Sequence, residues 1–478
     1  MAEGKRLVVV GGGITGLAAA HAALGIAREA RRELAVTVVE GAARFGGNIV
    51  TATSGGFLLD GAADSWVANK PHASALAREL GLGDALMGTN EANRRYYIAW
   101  RGQLHAVPEG LVLGVPTRVG ALTGTRLFSW RGKIRMALEL LVPARRDESG
   151  GDESIAEFAR RRLGREAADR LVAPLLGGIS AGDASDLSVR SAFPQLVAME
   201  REHGSLVRGM RAQQRARRAS GAGRDGSAFV SLRGGVGELV ETLAERLRDE
   251  GADLRRGAGV RALSRAGSRW TLATHGGGTL AADAVLLAVP AHAAAQVAGT
   301  HDEALGRTLS ELRSVTTATV FLGYRRADVA HPLDASGFVV PRAAQRPILA
   351  GTWVSSKWSG RAPEGHVLLR VFVGGPLAEA PLGGDDAGLV RLARGELQAL
   401  MGLAAEPVLA RVFRFERGSA QMRVGHADAM RAIRARVAEV APCLGIAGGG
   451  YDGIGIPDCI RQGQDAARAL VEALYETR

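Results

Sequence analysis

The sequence predicts an α/β fold in which a parallel-sheet domain is assembled from discontinuous segments of chain. Three observations carry the prediction. Valines run into spaced glycines near the N-terminus, a second strand, glycine and helix pattern lies near the C-terminus, and between them sit one mostly helical and one β-rich insertion.

In "VVVGGGITGLAAAHAALGIA" the valines at 8–10 read as a short buried strand. Gly11, Gly13 and Gly16 follow on the G-x-G-x-x-G spacing, and Ile14 and Thr15 open a helix. The first glycine permits a tight turn, the second lets backbone N–H groups approach a pyrophosphate, and the third lets the helix pack closely on its strand. The helix N-terminus then faces the anion. "LAVTVVE" supplies a second strand ending at Glu40, whose carboxylate suits ribose hydroxyls. These features predict a Rossmann-like site for an adenine dinucleotide. In "GAARFGGNIVT", Arg44 can hold a phosphate or ribose edge, and Gly46 and Gly47 allow close backbone passage. This R-x-G-G element resembles the FAD-binding signature of the flavin amine oxidase superfamily, which implies FAD rather than NAD.

The remaining pieces follow in order. Residues 1–70, 227–299 and 421–478 are expected to form the FAD-binding domain. Residues 71–226 are expected to be a mainly helical insertion for substrate access, and 300–420 a β-rich substrate-binding domain. The second piece opens with "SAFVSLRGGVGELVETLAERL" and continues through "GVRAL", "RWTLAT" and "DAVLLAVPAH". The charged stretch at 208–226 reads as a surface loop. The third piece, "LGIAGGGYDGIGIPDCIRQGQDAARAL", starts a helix after Gly455 at Ile456, with Pro457 and Asp458 suited to its first turn. Such an N-terminus supplies positive potential where a reduced flavin carries negative charge.

At 478 residues the chain has room for two or three domains. No apolar run reaches the length of a membrane span, and "MAEGKR" enters the first strand without a signal peptide. The expected location is the cytoplasm, with attachment to the inner face of the cell membrane as an open reading. Two cysteines, Cys443 and Cys459, and few scattered histidines predict neither a disulfide framework nor a metal site. The formal net charge of +11 is almost wholly arginine in origin, since lysine occurs only at positions 5, 70, 133 and 357. No nucleic-acid motif accompanies it, which leaves an acidic substrate or lipid headgroups as the target. In "LFSWRGKIRMALELLVPARR", Phe128, Trp130, Ile134, Met136 and Leu140 stand beside Arg126, Arg131, Lys133 and Arg135. Such a helix either lies on an anionic bilayer or faces a core.

Several stretches together resemble the porphyrinogen oxidases of haem biosynthesis, the protoporphyrinogen and coproporphyrinogen oxidase family. They are "LHAVPEGLVLGVPT", "GISAGDASDLSVRSAFPQLVAMEREHGSL", "WVSSKWSGRAPEGHVLLRVFVGG" and "YDGIGIPDCIRQG", and they span most of the chain. "SSKW", "RAPEGHVLLR" and "IPDCI" look closer to the bacterial coproporphyrinogen III oxidase branch. The resemblance implies FAD-dependent six-electron oxidation of a porphyrinogen, with molecular oxygen as acceptor and peroxide as product. It implies adenine contact by the backbone of Val260, and it places Asp60, Asp64 and Ser65 of "LLDGAADSW" near the flavin, although a Gly-Pro pair common there is missing. Near residue 420 the family's common Pro-Gln-Tyr becomes "AQMRVGH".

Lys70 is the first candidate for binding substrate carboxylates, with Arg95 and Lys357 behind it. No residue stands out as a catalytic acid or base. His426 reads as structural and Cys459 as packing. A monomer and a homodimer both remain open. Three other readings share parts of this pattern. An amine oxidase could use Tyr451 as one ring of an aromatic pair, a carotenoid desaturase shares the first glycine turn, and a non-catalytic protein could keep the FAD fold.

Overall fold

The strand Lys5–Val10 is the centre of the molecule's parallel sheet. In the computed structural model, which describes residues 4–145, 151–219, 227–375 and 378–476, it lies between Leu34–Val39 and Ala284–Leu287. The full five-stranded order is Asp253–Arg255, Leu34–Val39, Lys5–Val10, Ala284–Leu287, Leu444–Ile446, every pairing parallel. Helices cover both faces, so the central strands are continuous runs of Val, Leu and Ala rather than alternating ones. Strands on either side of Lys5–Val10 follow it by different routes, and the crevice at its C-terminal end is the topological switch point where such sheets bind ligands. The sheet draws its strands from all three stretches in which the sequence shows strand and glycine patterns. "GVRAL" and "RWTLAT" do not join it; Val260–Ala266, Arg269–Thr274 and Thr279–Ala282 form a separate antiparallel meander.

A second, seven-stranded sheet has the order Leu409–Ala420, Ser314–Arg325, His366–Val373, Ile348–Trp353, Gly337–Val339, Tyr97–Trp100, Gln103–Ala106. Its last two strands come from the stretch expected to be mainly helical. They form a hairpin across Arg101 and Gly102, both at positive φ (52° and 74°), the conformation that two-residue hairpin turns need.

The rest of that stretch is mostly helical. Ser154 and Glu157 form a reciprocal capping box that starts Ile155–Leu163. The reading of 208–226 as a loop is corrected: Leu206–Ala219 is a helix, and 220–226 lie outside the described residues. Leu206, Val207 and Met210 bury one face against the helical core, while Arg208 and Arg215 are exposed. No helix among the described residues is long and apolar enough to cross a membrane.

Glu139 anchors this layer. Its carboxylate accepts the Leu206 N–H at 2.8 Å and the Ser205 hydroxyl, and takes the Arg162 guanidinium, with Arg162 Nε at 2.9 Å. Both Glu139 and Arg162 are 0% exposed. Removing one partner of such a pair strands the other charge in the interior, at a cost of about 3–5 kcal/mol. Glu139→Ala is therefore expected to lower the midpoint of a denaturant titration strongly, and an unchanged midpoint would refute this account of the helical layer.

Candidate functional site

Three glycines of the first turn have different neighbours. Gly11 has φ 110°, and a Cβ there would overlap the Ala288 carbonyl oxygen; a Cβ on Gly16 would overlap the Gly11 carbonyl and approach Val9 Cγ1 to 3.1 Å. The protein itself requires those two. Gly13 has ordinary extended geometry (φ −72°, ψ 175°), and a Cβ would meet nothing nearer than Gly47 Cα at 4.0 Å. No atom of the chain demands glycine at 13, so the open space at this helix N-terminus fits a group from outside the chain, as a pyrophosphate would be.

The walls of this space are fixed by the backbone. Ile14 and Thr15 are buried at the start of the helix Ile14–Glu29. Glu40 accepts the Gly12 N–H at 2.8 Å and the Ala42 N–H at 2.7 Å, which orients its carboxylate at the end of Leu34–Val39. The Gly46 N–H donates to the Gly12 carbonyl at 2.8 Å, so Gly46 and Gly47 run beside the glycine turn. Arg44 differs from expectation. Its guanidinium donates to the carbonyls of Ile49 (2.8 Å), Gly47 and Phe45, and thereby shapes the Gly46–Gly47 loop from behind. Val260 begins the meander, where the Ala258 N–H bonds the Glu40 carbonyl at 2.9 Å.

Gly455 and Ile456 stand at the start of the last helix, Ile456–Glu476, which packs on the first helix because a Cβ on Gly463 would overlap the Thr15 carbonyl. At 1.5 Å per residue the Ile456 end lies about 10 Å along the helix from that contact. Two helix N-termini, both sources of positive potential, therefore stand a short distance apart, a spacing suited to the pyrophosphate and the ring of one dinucleotide. Between them the chain passes through Gly448, Gly450 and Gly453, all at left-handed φ. His426 Nε2 is 2.8 Å from the Tyr451 carbonyl oxygen, and the Tyr451 hydroxyl donates to Val289 O at 3.1 Å. Tyr451 is buried in the core beside the sheet, so it does not stand free as one ring of an amine cage.

The three candidate substrate cations are all paired. Lys70 reaches both Asp458 carboxylate oxygens at 2.7 Å, in the first turn of the last helix. Arg95 holds Glu109 at 2.9 Å on the surface. Lys357 is not a rim cation: it is largely buried and sits 3.0 Å from both oxygens of Asp64. Asp64 also accepts Arg370 Nη2 at 2.9 Å, Trp358 Nε1 at 3.1 Å and the Ser65 hydroxyl at 2.7 Å. Burial alone would raise the Asp64 carboxyl, but Lys357 and Arg370 outweigh it and hold it well below the ordinary range. Burial lowers Lys357 in turn, in spite of Asp64. The side chains of Asp64 and Ser65 thus serve the junction with the second sheet.

A cavity of about 400 Å³ lies between the helical layer and the second sheet. Gly178, Gly182, Ile348, Leu349 and Gly374 line its inner part. Two residues stand between it and the second glycine turn: Gln421, which donates to Ser180 O at 2.7 Å and packs on Gly182, and Ala420, which abuts Gly450. Sequence reasoning missed Arg361 and Arg370, which belong to the buried junction, and this cavity, because their partners lie far off in the chain.

Gly13→Val is expected to fold with unchanged stability yet purify without flavin absorbance. A variant that retains a full complement of flavin would refute the role given to the open space at Gly13.

The flavin containing amine oxidoreductase family model matches residues 14–471. The chain is 35% identical to coproporphyrinogen III oxidase of Bacillus subtilis (strain 168), over 99% of this chain and 100% of that one. It is also 35% identical to the enzyme of that name from Propionibacterium freudenreichii subsp. freudenreichii, over 98% and 91% of the two chains. The crystal structure of a candidate protoporphyrinogen oxidase from Exiguobacterium sp. 255-15 superposes with a TM-score of 0.86 at 34% identity, covering 98% of this chain and 99% of that one. With the glycine cradle, the paired helix N-termini and the adjoining cavity in place, the chain belongs to the flavin-containing amine oxidoreductases, in their porphyrinogen oxidase branch.

Proposed function

We propose that this protein oxidises coproporphyrinogen III to coproporphyrin III with FAD and molecular oxygen. The observation that carries the reading is the open space at Gly13 beside two helix N-termini, with a cavity two residues away from the second glycine turn, Gln421 packing on its Gly182 and Ala420 on Gly450. When bound, FAD takes up two electrons at a time and passes them to oxygen, so a six-electron oxidation needs three rounds. The chain's own part is binding, orientation and exclusion of water. Gly11, Gly13, Ile14, Thr15 and Gly16 cradle the pyrophosphate, Glu40 takes the ribose, and Gly46, Gly47 and Val260 bound the adenosine side. Arg44 holds the loop that carries Gly46 and Gly47. Gly455 and Ile456 direct the last helix at the ring, where Lys70 and Asp458 form a charged pair in its first turn. Small residues at 178, 182 and 374 leave room for a flat macrocycle.

The helix Trp130–Ala137 and the turn after it support a second contact, with an anionic membrane surface. Phe128 and Met136 are buried, whereas Trp130, Ile134, Leu138 and Leu141 are 69%, 59%, 44% and 75% exposed along one side. Arg126 and Arg131 flank this stripe. Its apolar residues fit the headgroup boundary, and the arginines fit the lipid phosphates.

The reaction is tested with flavin-loaded protein in air, given coproporphyrinogen III and protoporphyrinogen IX separately while porphyrin fluorescence and peroxide are followed. Faster fluorescence growth with coproporphyrinogen III is expected; no growth with either would refute the reading. Sedimentation with anionic vesicles is expected to carry the protein down, and Trp130→Ser with Ile134→Ser to release it. Equal sedimentation of both forms would remove the membrane contact.

A further inference from the structure

The cavity has a cationic rim, and we infer that Arg160, Arg342 and Arg346 are its carboxylate clamp and select a tetracarboxylate macrocycle. This rests on the proposed porphyrinogen oxidation and names the residues that set its substrate class. The three arginines come from two layers. Arg160 stands on Ile155–Leu163, and Arg342 and Arg346 on the turn between Gly337–Val339 and Ile348–Trp353. All three line the same cavity, as do Asp169 and Asp183, and glycine and aliphatic residues, Gly178, Gly182, Ile348 and Leu349 among them, line much of the rest. An apolar interior with convergent cations at its mouth suits a flat apolar ring whose acidic arms point outward.

The turn is held in a conformation that serves the rim. Gln345 has φ 52°, unusual for a residue other than glycine, and its side-chain amide donates to Arg342 O at 3.0 Å. A backbone outlier of this kind persists only where its surroundings fix it. Here it carries Arg342 and Arg346 to the same side of the opening.

Each rim arginine has a carboxylate neighbour: Arg160 with Asp169 at 3.0 Å, Arg346 with Glu396 at 2.8 Å, and Arg342 with Asp183. Arg342 is 61% exposed and Arg160 48%, so their pairs are hydrated and weak. A guanidinium has five N–H donors in a planar fork, and a single carboxylate leaves some of them free. Asp169 and Asp183 therefore aim Arg160 and Arg342 without consuming them, while Glu396, in a pair that is largely buried, fixes Arg346 more firmly.

The macrocycle can enter the cavity in more than one orientation, each bringing a different carbon to the flavin side. A ring with one propionate on each pyrrole presents acidic arms to the rim in every such orientation. A ring with only two propionates loses the grip in some of them.

The test uses flavin-loaded Arg342→Gln/Arg346→Gln protein, with KM and kcat measured on both porphyrinogens and the affinity for coproporphyrin III measured by fluorescence. KM for coproporphyrinogen III is expected to rise about tenfold or more, with affinity for coproporphyrin III falling in parallel, while KM for protoporphyrinogen IX moves less and kcat and flavin content hold. Asp183→Asn, which frees Arg342 of its competitor, is expected to lower KM for coproporphyrinogen III. Unchanged KM, or equal rises on both substrates, with active wild-type protein would overturn the clamp. Wild-type protein inactive on both porphyrinogens would instead overturn the reaction, and unaltered coproporphyrin III affinity in the double variant would then overturn the clamp as well.

Discussion

The contact of Gly463 with the Thr15 carbonyl lets the last helix lie directly on the first, and the geometry of the cofactor site depends on that contact. A side chain at 463 would hold the helices apart and separate their N-terminal ends. With glycine there, the end that faces the pyrophosphate space at Gly13 and the end at Ile456 are held at a fixed spacing. Both project unpaired N–H groups and the positive end of a helix dipole, which is the electrostatic requirement for an anionic cofactor that becomes more negative on reduction. The parallel sheet contributes the other constraint: its switch point at the end of Lys5–Val10 leaves a crevice in which such a ligand can lie.

The second sheet is tied to this core by charge rather than by apolar packing alone. Arg370 donates to the carbonyls of Asp60 (2.9 Å) and Ala62 (3.0 Å), and Arg361 to those of Arg233 (2.7 Å) and Leu232 (2.8 Å). Lys357 and Asp64 complete the cluster. Asp60 Oδ2 lies 3.3 Å from Arg361 Nη2 without hydrogen-bond alignment, and burial raises the Asp60 carboxyl. Buried charges of this kind are costly to desolvate and add little net stability, but a displaced partner leaves an uncompensated charge, so they specify one docking arrangement. That arrangement sets the cavity at Gly182 and Gly374 two residues, Gln421 and Ala420, from the turn at Gly450.

The helical layer closes the cavity from the other side and is organised differently. The Glu139–Arg162 pair is sealed, caps the helix Leu206–Ala219 and faces away from solvent, whereas Arg160 and Arg342 at the cavity keep hydrated pairs. Burial thus separates arginines that hold the fold from arginines that can exchange a carboxylate. Composition alone does not make that distinction, since both kinds contribute equally to the net positive charge.

The glycine turn, the strand ending at Glu40, the helix at Ile456 and the family resemblance were legible in sequence because each depends on residues a few positions apart: a tight turn, a helix start and a strand period are local. The hairpin at Arg101 and Gly102 and the helix at 206–219 were less legible, since short strands and arginine-rich faces carry weak periodicity. What no local rule could supply was the pairing of charges. Lys357 meets Asp64 from 293 residues away and is largely buried there, so whether a cation is free for substrate or spent on the fold is decided by tertiary contacts. By itself the sequence determined the parallel α/β core and the glycine turns at its strand ends. Only the folded chain decided which glycine faces open space, which cations are buried and where the cavity lies, because those properties belong to distances between segments that the sequence holds far apart.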